Sequence, residues 1–154
     1  MAKYHLECLP DEKLVKTLLN IPKKHITHHN DKGRVCNYLK NNSNLVGIID
    51  EDPGKAQPTY LKNLKEISNI SGVKIYSDHA GNKLVVLCPA LEGWIIKCAH
   101  SSKIDMIKEF GLADTEKSLH SEINWKLHKL ERLVIHLIEI KNKGILHLRE
   151  ALNQ

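Results

Sequence analysis

Apolar positions along the chain fall first into short runs and then into helical stripes. Residues 3–9, KYHLECL, partly alternate and are bounded by Pro10, which predicts a strand. In the following PDEKLVKTLLN, Leu14, Val15, Leu18 and Leu19 recur at helical spacing. Pro10 suits the first helical turn, and acids there favour a helix N-terminus. KKHITHH predicts a second, weaker strand, and DKGRVCNYLKNN a short helix with Val35, Cys36 and Leu39 inward. NLVGIID is a continuous apolar run, as expected of a strand covered on both faces. PTYLKNLKEISNI predicts a helix with Tyr60, Leu61, Leu64 and Ile67 on one side.

That β-α-β-α-β-α alternation implies an open parallel sheet with crossover helices. GVKIYSD and KLVVLCP then predict two strands joined by HAGN, a hairpin at the sheet edge. The remainder reads as helical: ALEGWIIKCAH, then KIDMIKEF ending at Gly111, then one long helix over residues 116–143, then ILHLREALN. In the long segment Leu119, Ile123, Leu127, Leu130, Val134, Leu137 and Ile140 form a near-heptad stripe. Two readings suit it, a helix packed on the sheet or the seam of a homodimer. The expected fold class is α/β, an open, mostly parallel sheet flanked by helices, with a helical C-terminal extension.

Composition narrows the class. A chain of 154 residues with 42% hydrophobic content can build one core without disulfides or a structural metal. No apolar run approaches a membrane span, and the opening MAKYHLECLPDEK has no apolar signal-like stretch, so a cytoplasmic protein is expected. Cys8, Cys36, Cys88 and Cys98 form no C-x-x-C pair and are expected as reduced core residues. His25, His28 and His29 cluster near one predicted strand, and His120, His128 and His136 recur along one face of the long helix. Neither set has zinc-site spacing. The net charge of +5 is compatible with a polyanionic partner such as nucleic acid.

Against that charge, acids gather at two strand ends: Glu7, with Asp11 and Glu12 beyond it, and Asp50-Glu51-Asp52. Ligands of open α/β sheets bind beyond the carboxyl ends of strands. If the chain stays extended, Asp50 and Asp52 project to one side, roughly 7 Å apart. If the first and third strands are near neighbours, Glu7 faces that pair. Three converging carboxylates do not all ionise comfortably without a cation, and hard oxygen donors suit Mg²⁺ or Mn²⁺. The alternative is plain turn chemistry for Asp-x-Asp-Pro-Gly, and helix-start acids in the case of Asp11 and Glu12.

Taken in order, these residues resemble the Toprim domain. Glu7-Cys8-Leu9-Pro10-Asp11 is similar to its opening Glu-Gly-x-x-Asp motif, with Cys8 standing where the family has glycine. VGIIDEDPG is similar to its Asp-x-Asp strand, and DKGRVCNYL to the stretch between them. The resemblance covers about residues 3–90. It implies a Toprim-like catalytic domain over residues 1–100 and a helical extension over 101–154 packed on it. It further implies Glu7 as general acid/base and metal ligand, Asp50 and Asp52 as Mg²⁺ or Mn²⁺ ligands, and Asp11 as an acid that helps hold a second ion, as in OLD-family nucleases. Pro89-Ala90-Leu91-Glu92-Gly93-Trp94 resembles an element of small phage-defence Toprim-like proteins, which makes Glu92 a further candidate ligand; the competing reading is a helix-start glutamate. A companion ATPase is the partner such nucleases imply.

Lys55 directly follows the Asp-x-Asp loop and is a candidate for contacting a scissile phosphate. Lys32 and Arg34 precede a helix and are candidates, with Lys55, for nucleic-acid binding; each is equally readable as a solvated surface charge. Trp94 is expected in the core or a lid. The leading expectation is a metal-dependent nuclease acting on DNA or RNA. The alternative is a non-catalytic module that binds nucleic acid or an ATPase. A haloacid-dehalogenase-type phosphatase is disfavoured, because its Asp-x-Asp sits on a first strand and this one is preceded by a whole β-α-β-α.

Overall fold

Val46–Asp50 (β3) is apolar at every position but the last, and its side chains alternate between two layers. Val46 and Ile48 enter one hydrophobic core, while Ile49 enters a second on the opposite face. Period-two alternation inside a continuous apolar run is what a strand buried on both faces requires. The computed structural model describes residues 2–153.

Around β3 the elements run in the expected order at first. Tyr4–Leu6 (β1) leads into Leu9–Leu19 (α1); after a 3₁₀ turn at Lys23–His25 come Ile26–His28 (β2), Lys32–Lys40 (α2) and then β3. β1 pairs in parallel with both β2 and β3. The chain therefore steps outward from β1 to β2 and returns past β1 to β3. α1 packs in one core and α2 in the other, so the winding reverses between β1 and β3. That reversal opens a crevice at the carboxyl ends of the two strands.

Next, the structure departs from the sequence expectation. The predicted helix over residues 58–70 is a single turn, Thr59–Lys62 (α3), followed by a strand, Lys65–Ile70 (β4). β4 pairs antiparallel with Val73–Ser77 (β5), with a bulge between Glu66 and Ser68. The connection is Ser71-Gly72, both residues at positive φ (53° and 73°), as a two-residue hairpin turn demands. Tyr60, Leu61 and Leu64 still pack on the core, but Ile67 and Ile70 are exposed. β5 also pairs antiparallel with Lys83–Leu87 (β6), and β6 pairs in parallel with β3. The predicted β5–β6 hairpin is thus interior, and β4 is the edge of a sheet ordered β2-β1-β3-β6-β5-β4.

The helical remainder begins with Leu91–Ser101 (α4) and Met106–Phe110 (α5), the latter ended by Gly111 at φ 66°. The predicted single helix over 116–143 is two helices, Glu116–Glu122 (α6) and Leu127–Glu139 (α7), separated by a 3₁₀ turn at Ile123–Trp125. Lys126 leaves helical geometry at φ −125°, and its ammonium ties the Gly111 carbonyl to the Glu122 carboxylate. The bend lets Leu119 and Ile123 face the core from one direction and Leu130, Val134 and Leu137 from another; Ile140 stays exposed. His120, His128 and His136 consequently do not share one helical face. Lys143–Asn153 (α8) starts at Asn142, whose side-chain oxygen takes the Ile145 amide proton. α1 and α4 to α8 share one core with the sheet, and five of the seven stripe residues, Leu119, Ile123, Leu130, Val134 and Leu137, are buried in it. No helix is long and apolar enough to cross a membrane among the described residues. All four cysteines are free; Cys36 and Cys98 are buried and Cys88 partly so, whereas Cys8, expected in the core, lies in an exposed residue.

Candidate metal and phosphate site

Four acids meet at the winding reversal, each positioned by a different piece of backbone. Glu7 follows β1, which pairs directly with β3, and its Oε2 accepts the Asp50 amide proton at 3.2 Å. Asp50 ends β3 and its Oδ1 accepts the Leu91 amide proton at 2.9 Å, in the first turn of α4. Asp11 lies in the first turn of α1, where its Oδ2 accepts from both the amide and the thiol of Cys8 at 3.2 Å. Glu92 lies in the first turn of α4, its Oε1 3.0 Å from His120 Nδ1. Two helix N-termini thus favour negative charge in a place where burial opposes it.

Burial prevails. It pushes the Asp50 carboxyl up to about 8, and Asp11, Glu7 and Glu92 add to the rise by repulsion. Burial likewise raises Asp11 to about 7, with Glu7 and Glu92 contributing. Glu7 is raised as well, chiefly by burial and against the lowering effect of the Asp50 amide. Desolvation raises the Cys8 thiol, which donates to Asp11.

The other predicted residues fall outside this inner group in different ways. The strand ladder stops at Asp50, and Asp52 adopts a left-handed backbone at φ 48° with its amide bonded to the Pro89 carbonyl. Asp50 and Asp52 therefore do not extend side by side. Asp52 Oδ2 instead lies 3.5 Å from Lys32 Nζ. Lys32 is mostly buried and also donates to the Glu51 carbonyl and to Gln57, so it braces the loop. Glu51 points to the other face and pairs with Lys74 at 2.7 Å. Arg34 is exposed and pairs with Asp31, the cap of its own helix. Lys55 lines a cavity of about 420 Å³ together with Asp50, Asp52, Glu92, Lys117 and His120.

His120 stood out in the sequence only as one of three histidines along a helix, and Lys117 not at all. They come from α6, brought to the crevice by tertiary packing, His120 through its contact with Glu92 and Lys117 through the cavity it lines. Glu12 is also buried, with Oε2 3.3 Å from His28 Nε2 and Oε1 without a hydrogen-bond partner. Trp94, expected in the core or a lid, is in the core, its indole N–H donating to the Ser71 carbonyl.

Each of the four inner carboxylates commits one oxygen to the protein contact described above and keeps the other without a protein donor among the described residues. Hard oxygens of this kind suit Mg²⁺ or Mn²⁺. No group of three Asp, Glu, His or Cys side chains is arranged to hold a metal ion among the described residues. Compared with models of known protein families, with curated proteins and with solved structures, the chain matches none.

Proposed function

We propose that the protein is a Mg²⁺- or Mn²⁺-dependent phosphodiester-cleaving nuclease of Toprim type, acting on DNA or RNA. The observation that carries this reading is the set of four carboxylates at the winding reversal, each with one oxygen fixed and one free. Glu7, Asp11, Asp50 and Glu92 would hold the ion, which when bound polarises a phosphodiester and offsets charge building on the leaving oxygen. Asp52 joins the site through Lys32, holding the loop that presents Lys55. Lys55 has no ion-pair partner among the described residues and is free to take a phosphate oxygen. Asp50, raised by burial to about 8, is the group suited to hold or pass a proton near neutral pH, and burial shifts Glu7 in the same direction.

The test is cleavage of plasmid DNA and of a structured RNA with Mn²⁺ added, against the Asp50→Asn and Glu7→Gln variants. Each variant is expected to lose about a hundredfold or more of the rate. Full cleavage by Asp50→Asn would exclude this site. Lys32 filling the space beside Asp52 favours a second reading, a non-catalytic module binding nucleic acid or a companion ATPase. Nucleic acid retained with no cleavage in either metal would support that reading.

A further inference from the structure

The most exposed large hydrophobic side chain is an aromatic next to the crevice. Trp125 is 80% exposed, whereas the other tryptophan, Trp94, is 1% exposed. Exposing an indole wastes its burial, and the short 3₁₀ turn that carries it has its own core anchor in Ile123. Two features place it. First, Trp125 follows His120 of the cavity wall by five residues, about 8–10 Å of helical rise at most. Second, α7 runs in the same direction as α1. Glu131 reaches Lys13 at 3.3 Å, and Ile135, one turn on, shares a groove with Asn20 and Ile21. The 3₁₀ turn itself touches α1. The start of α7 therefore lies level with the start of α1, where Leu9, also exposed at 45%, directly follows Glu7 and Cys8.

An exposed indole and an exposed leucine thus lie at the end of the α1–α7 pair from which α1 presents Asp11 to the acidic crevice. Lys55 and Lys117 line the acidic cavity itself, with Glu116 beside them, and neither lysine is in an ion pair among the described residues. An aromatic face beside free ammonium groups fits a base and its phosphates. A protein partner's apolar patch would be matched by a broader apolar surface than these two side chains provide.

We propose that Trp125, backed by Leu9, is a stacking platform for an unpaired nucleobase, and that the chain binds single-stranded nucleic acid with its phosphates led past Lys117 and Lys55 into the crevice. This rests on the nuclease reading for the use of the crevice, but the stacking itself can be read without catalysis. The full-length protein is titrated with oligothymidylate and oligouridylate of about twenty nucleotides, and with a duplex of equal length, while tryptophan emission is followed in Ca²⁺. Single strands are expected to quench the solvent-exposed component of the emission; the duplex is not. Trp125→Phe, whose emission comes from Trp94 alone, is expected to show no quenching yet to bind. Trp125→Ala, at an exposed position that leaves the fold intact, is expected to bind about tenfold more weakly by anisotropy of a labelled oligonucleotide. Unchanged emission, equal binding by Trp125→Ala, or preference for the duplex would each overturn the proposal. Cleavage of the same oligonucleotides in Mn²⁺ is scored separately. Quenching without cleavage refutes the nuclease and keeps the platform, while cleavage with silent Trp125 does the reverse.

Discussion

Asp50 carries two opposed demands: burial disfavours its charge, while the Leu91 amide and the start of α4 favour it. The outcome is a folded-state carboxyl near 8 against an ordinary 3.8. A raised folded value means the native state holds protons that the unfolded chain has released. The contribution to stability is therefore whole below about pH 4 and is lost as pH climbs through about 8. Asp11, raised to about 7, acts in the same sense, and the two titrate as a coupled set. Without divalent metal, thermal unfolding is expected at progressively lower temperature across that window. Asp50→Asn, which keeps the oxygen that takes the Leu91 amide, is expected to remove much of the slope. Mn²⁺ is expected to restore stability most at the alkaline end, where it replaces the lost protons. A flat profile in chelator, or no effect of Mn²⁺, would count against a carboxylate cluster poised for a cation.

Elements show where sequence pattern sufficed and where it did not. β3 was legible because an apolar run ending in acids has few other meanings. Glu7 and Asp50 followed from it, since both sit at strand ends that parallel pairing brings together. Asp52 was misplaced because an Asp-Pro-Gly sequence permits the left-handed turn that diverts it, and alternation counts only while the strand lasts. The stretch over residues 58–70 has apolar residues at spacings that satisfy a helix, and the hairpin signal in Ser71-Gly72 went unread. The break between α6 and α7 depends on Lys126 reaching Gly111 and Glu122, a contact no periodicity records. Gly47 is a tighter constraint than the pattern suggests. A Cβ there would sit 2.9 Å from Leu39 and Leu84 side chains and 3.2 Å from Val35, so α2 rests directly on the β3 backbone. Gly47→Ala is expected to cost about 1–3 kcal/mol, read as a lower urea midpoint, while Gly54→Ala, where nothing lies within 4 Å, differs mainly through its positive φ.

For the molecule as a whole, the helices after Ser101 are structural partners of the sheet. Leu130, Leu133, Val134, Leu137, Ile145 and Leu148 are fully buried in the core that covers β1, β3, β5 and β6. A chain stopped after residue 102 is expected to lose its cooperative unfolding transition, followed by circular dichroism, because α1 and α4 alone would be left to cover one sheet face. Leu137→Ala in the full chain is expected to cost about 2–5 kcal/mol by the cavity it leaves. The same helices carry His120, Lys117 and Trp125, so folding of the tail and completion of the crevice are a single event.

The extra residue at Ile67 has a consequence beyond its own hairpin. β4 is the sheet's outer margin, open on both sides along most of its length, and a straight margin of that kind would offer its unused amides and carbonyls to any neighbour. The irregularity between Glu66 and Ser68 breaks that ladder. Deleting Ile67 would restore a continuous row of hydrogen-bonding groups, and light scattering of the shortened chain is expected to report ribbons grown margin to margin.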